Sequence, residues 1–92
     1  LAETFGDGWQ RLDKWLWCAR FARQRDACSA LAGSGLVRIN RVATDKPHAR
    51  VRPGDVLTVP VGAAGVRVVR VLALGERRGG VEEARRLFEE VG

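Results

Sequence analysis

The sequence predicts an α+β fold: a two-helix helix-turn-helix motif packed on a small, mainly antiparallel twisted sheet, with a C-terminal helix. Three observations predict it. Residues 11–32 carry apolar side chains at helical spacing with one interruption, residues 36–72 alternate between tight-turn signals, and residues 81–91 return to helical spacing. A chain of 92 residues has room for one small domain. The expected division is a flexible arm over 1–10, a binding domain over 11–75 with its core motif in 11–60, and a linker with a C-terminal helix over 76–92 that packs on the body.

Residues 1–10 hold two Gly and no periodicity, so they read as an arm that Phe5 or Trp9 pins to the body. Leu12, Trp15, Leu16 and Ala19 then share one helical face, extended by Ala22, and this face is expected to be core. Lys14, Trp17 and Phe21 fall on the opposite side, flanked by Arg11 and Arg20. Two large aromatics away from the core have two readings: a second packing surface for the arm or last helix, or a stacking platform set among cations. Arg23-Gln24-Arg25 reads as the turn and Asp26 as the cap of a short second helix over 27–32, with Ala27, Cys28 and Leu31 buried and Gly33 and Gly35 as the stop.

Leu36 to Asn40 alternates as a half-buried strand, and Asn40-Arg41 turns it into Val42-Ala43-Thr44. Lys46-Pro47 interrupts pairing because Pro lacks an N–H donor. Arg52-Pro53-Gly54-Asp55 is a turn, and 56–61 with 66–72 form a hairpin across Gly62 to Gly65. Glu76 to Gly80 reads as a charged, solvated linker. Val81, Ala84, Leu87, Phe88 and Val91 then make one apolar stripe, with Glu82 and Glu83 where a helix dipole favours them.

Charge is concentrated. Residues 11–52 hold ten Lys or Arg against three acids, whereas 53–92 hold six Arg and six acids. That localised excess is the footprint of a polyanion binder, and the basic residues are mostly Arg, whose planar fork grips phosphate and stacks on bases. Cys18 and Cys28, with His48 alone to join them, are too few for a disulfide framework or an ordinary zinc site, so a reduced, cytoplasmic protein without metal or cofactor is expected. His48 reads as a surface residue. No apolar run approaches the length of a membrane helix, and no membrane partner is expected. Neither Gly33-Ser34-Gly35 nor Gly62 to Gly65 has the Lys and Ser or Thr of a phosphate loop, and no nucleophile-base pair or carboxylate pair is persuasive, so no catalytic residue is assigned and no enzyme is expected.

The order helix, turn, short helix, strand, tight turn, strand resembles the S-four type RNA-binding domain. The match is carried by Arg11-Leu12-Asp13 with Leu16, Ala19-Arg20, Arg25, Ala27, Gly35, Val37, Ile39-Asn40 and Val51-Arg52-Pro53-Gly54-Asp55. Gln24, Asp26, Ser29 and Arg41 depart from that family's usual residues. The opening Arg11 to Phe21 and the Glu-rich terminal helix look like its ribosome-associated heat-shock branch in bacteria. The resemblance implies non-catalytic binding of structured RNA, ribosomal RNA of the large subunit, in the recycling of subunits that carry stalled nascent chains. It implies RNA contacts at Arg11, Lys14, Arg20, Arg23, Gln24, Arg25, Arg38 and Lys46, with Trp17 and Phe21 as the stacking candidates.

A monomer is expected. The alternatives are the RNA-docking domain of a modification enzyme such as a pseudouridine synthase, a DNA-binding helix-turn-helix protein, and a protein-interaction module. The end of the terminal helix at Gly92 speaks against the first. The second is weakened because Asp26-Ala27-Cys28-Ser29-Ala30 offers few side chains that read bases.

Overall fold

A computed structural model describes residues 8–92, in the order β1 (Gln10–Arg11), α1 (Leu12–Cys18), α2 (Arg25–Ala32), β2 (Val37–Ile39), β3 (Val42–Thr44), β4 (Arg50–Val51), β5 (Val56–Pro60), a 3-10 turn (Gly62–Ala64), β6 (Val66–Val71), α3 (Val81–Arg85) and β7 (Phe88–Glu90). Five strands form one antiparallel sheet in the order β3-β2-β5-β6-β7, while β1 and β4 pair as a separate ribbon. The α+β class read from the sequence is the observed one.

One face of the sheet packs against the helices. Val37, Leu57, Val59, Val69 and Val71 meet Leu12, Trp15, Leu16, Cys28 and Ala32 in a single buried core. The apolar face expected of the first helix is therefore the one that is buried. Asn40 and Arg41 both take positive φ, 52° and 73°, which is the mirror-image turn that matches strand twist. The Asn40 amide fixes that turn to the next one: its Oδ1 accepts from Val56 N–H at 2.9 Å and its Nδ2 donates to Asp55 at 3.0 Å.

Several boundaries differ from those the sequence suggests. The first helix stops at Cys18, before Ala22, because Arg20 adopts φ 63°. Arg20 N–H then bonds to Trp17 O at 3.1 Å and Phe21 N–H to Leu16 O at 2.9 Å, the paired bonds of a Schellman stop with arginine where glycine is usual. The second helix begins at Arg25, with Gln24 in the capping position and no side-chain cap bond, so Asp26 is not the cap. Asp26 lies in the first turn, where a carboxylate complements the dipole.

The C-terminal helix is present but ends at Arg85, and the second half of its apolar stripe is a strand. Phe88 pairs with Val71 and Glu90 with Val69, so the last residues complete the sheet. Of the expected arm, residues 1–7 lie outside the described residues. Its last residue is not loose: Gln10 is buried and its amide makes a reciprocal pair with Gly75, donating to that carbonyl and accepting the Gly75 N–H at 3.1 Å.

Candidate nucleic-acid interface

The start of α1 is held by backbone rather than by a capping side chain. Leu12 N–H donates to Ala49 O at 2.8 Å and Asp13 N–H to Pro47 O at 3.0 Å, so the loop after β3 supplies acceptors for two otherwise orphaned donors. The same loop lies against the end of α2, where a Cβ built on Gly33 would sit 3.5 Å from the Pro47 ring. Lys46 is thereby carried to the side of the helix pair, exposed, with Asp45 3.9 Å away.

Asp13 joins the two helices. Its buried carboxylate accepts from the Arg11 guanidinium at 3.0 and 3.2 Å, from Lys14 N–H at 2.7 Å and from the Ser29 hydroxyl at 3.1 Å. Several donors on one buried carboxylate satisfy the charge where an unpaired one would be costly. Ser29 therefore spends its hydroxyl on aligning α2 with α1.

Around this frame Lys14, Trp17 and Arg25 form one patch. The Arg25 guanidinium carbon lies 5.8 Å from the Trp17 ring centroid, and Lys14 precedes Trp17 by three residues on the same helix face. Arg23 and Gln24 are exposed in the turn that leads into Arg25. The arrangement is a half-buried indole that packs on the core and carries the Arg25 guanidinium near its ring, beside exposed Arg23 and Gln24, able to take phosphates and to offer part of an aromatic face.

Three predicted residues are placed elsewhere. Arg20 leaves the helix stop toward the C-terminal elements, donates to Gly79 O at 2.9 Å, and lines a cleft of about 550 Å³ with Arg67, Arg85 and Phe88. Arg38 stands opposite Ala43 and Thr58 while its neighbour Val37 is buried in the core, so strand alternation turns it to the sheet face away from the helices. Phe21 packs with Trp15 at 5.9 Å and Phe88 at 5.3 Å between centroids, and Arg67 covers it at 5.0 Å. Its ring is used in packing against the C-terminal strand, the first of the two readings open for it. Arg67 in turn is paired with Glu90. The predicted linker is also engaged: Arg77 pairs with Glu83 at 3.2 Å and Arg78 is half-buried.

Cys18 and Cys28 are both free and buried, and burial pushes both thiols above their ordinary range. Among the described residues no group of His, Cys, Asp and Glu is arranged to hold a metal ion, and no helix is long and apolar enough to cross a membrane.

Comparison with known proteins bears on this surface. The model of the S4 domain family matches residues 10–57. A Heat shock protein 15 homolog of Haemophilus influenzae is 36% identical over 80 residues, which cover 87% of this chain and 60% of the relative. Heat shock protein 15 of Escherichia coli K12 is 39% identical over 80 residues, covering 87% and 59%. The chain thus spans about three-fifths of the length of these curated relatives. The solved trimeric structure of Vibrio cholerae Heat Shock Protein 15 superposes with a TM-score of 0.83 at 31% identity, over 91% of this chain and 83% of that one. The chain belongs to the S4 domain family, in its heat shock protein 15 group, and carries the RNA-binding domain of that family.

Proposed function

We propose that this protein binds structured ribosomal RNA on the large subunit without catalysing a reaction, and that it acts in the cytoplasm on subunits carrying stalled nascent chains. The observation that carries the reading is the patch of Lys14, Trp17 and Arg25, continued by Arg11, Arg23 and Gln24 along the helix pair and by Lys46 in the adjoining loop. A-form RNA hides its base edges in a deep groove, so cations held on rigid helices recognise phosphate spacing and shape. Arg20 and Arg38 lie outside the continuous patch and serve as peripheral contacts. A single copy per RNA site is the stoichiometry proposed here, and the trimeric Vibrio relative defines the alternative.

Co-sedimentation with separated ribosomal subunits across a salt series tests the proposal. Binding to the large subunit that fades as salt rises supports it. Binding to neither subunit, with affinity for short RNA hairpins retained, assigns the domain to another RNA. Sedimentation of the free protein at several concentrations separates monomer from trimer.

A further inference from the structure

The β1–β4 ribbon presents a second surface. Its antiparallel register sets Gln10 opposite Val51 and Arg11 opposite Arg50. Gln10 and Val51 are buried, so alternation turns Arg11 and Arg50 outward, and the exposed Arg52 follows in the adjoining turn. Trp9 is 45% exposed, and the Arg50 guanidinium carbon lies 4.5 Å from its ring centroid. Like charges directly across a strand pair repel. Arg11 is relieved by Asp13, yet among the described residues no carboxylate pairs with the guanidinium of Arg50 or Arg52, Asp55 accepting only the Arg52 backbone N–H at 2.9 Å.

The geometry points to this ribbon face as a binding site for an unpaired nucleotide that flanks the structured RNA element, its base stacked on the Trp9–Arg50 pair and its neighbouring phosphates on Arg11 and Arg52. The inference rests on the proposed RNA binding by the helix pair, with which the ribbon is continuous: Arg11 belongs to both, and the chain between Lys46 and Arg50 runs along the start of α1. An indole beside a planar guanidinium suits a flat base, which stacks on either group, whereas an acidic peptide would use only the charge. The interior of a continuous duplex offers no free base face, so the site distinguishes a junction with an unpaired nucleotide from a continuous helix.

The test compares a bare RNA hairpin with the same hairpin carrying an unpaired extension of about five nucleotides, within the reach of one stacking groove. The extension is expected to tighten binding roughly tenfold, the scale of one base–aromatic stack. Trp9→Ala and Arg50→Gln are each expected to remove most of that gain while affinity for the bare hairpin stays unchanged, and Trp9→Phe is expected to keep part of it. Equal affinity of the unmodified protein for the two RNAs, or a gain that survives Trp9→Ala, overturns the inference. So does selective loss of the gain to competing poly-glutamate, which would assign the face to an acidic protein. Absence of any binding to the bare hairpin counts instead against the helix-pair reading, and the ribbon proposal falls with it.

Discussion

The buried thiols of Cys18 and Cys28 make a pH prediction that involves no RNA. Burial disfavours the thiolate in the folded protein, so the folded pKa of each lies above the ordinary thiol value of 9.0. Below that value both folded and unfolded chains keep the proton, and these groups leave stability unchanged. As pH rises past about 9 the unfolded chain loses protons first, and stability falls. Denaturant melts at pH 8 and pH 10 are expected to show the loss, and Cys18→Ala with Cys28→Ala is expected to reduce the pH dependence. At pH 8 neither thiol is expected to react with iodoacetamide until the chain unfolds. Gly75 is a second residue with a defined limit. A Cβ there would collide with Cys18 and come within 3.2 Å of Leu87, beside the carbonyl that receives the Gln10 amide. Gly75→Ala is expected to cost about 1–3 kcal/mol by overpacking, read as a shift in the urea midpoint.

Elements are joined by small polar devices, of which Asn40 is the clearest. Its side chain bonds both Asp55 and Val56 while its backbone holds positive φ. Asn40→Ala is expected to destabilise the protein by about 1–2 kcal/mol, from the lost bonds and the strained turn together, measured by thermal melt. Such devices explain what was legible in the sequence. Asn40-Arg41 and Arg52-Pro53-Gly54-Asp55 announced their turns because their conformations restrict the residues that fit. The Val81 to Val91 stripe was ambiguous: Leu87 and Phe88 suit a helical face, but Phe88 and Glu90 also alternate as a strand, and only an open edge on β6 decides between them. The helix stop was illegible for a related reason, since Arg20 occupies a position where glycine would have announced it.

At the scale of the whole molecule, the charge run of residues 11–52 coincides with the segment matched by the S4 domain but does not give the facing of its side chains. Arg25 opens the second helix, whereas strand register turns Arg38 to the sheet face away from the helices, and Arg50 is set opposite Arg11 only by the pairing of β4 with β1. The prediction proper to this scale is electrostatic. Each phosphate contact contributes a log–log salt slope of about −0.7 to −0.9. Arg23→Ala with Arg25→Ala is therefore expected to flatten the slope for a bare hairpin by roughly 1.4 to 1.8 while leaving circular dichroism unchanged. An unaltered slope would move the phosphate track off the helix pair.

The three tryptophans occupy three different settings. Trp15 is sealed in the core with its indole N–H donated to Ala73 O at 2.9 Å, Trp17 is half-exposed beneath Arg25, and Trp9 stands in solvent beside Arg50. The molecule thus carries its own optical reporters. Blue-edge emission from buried Trp15 is expected to follow the integrity of the core, while red-edge emission from Trp9, the most exposed of the three, is expected to report on the ribbon face, with half-buried Trp17 between them. Replacing one of the outer pair by Phe isolates the other, so folding and occupancy can be followed in the same cuvette without a dye.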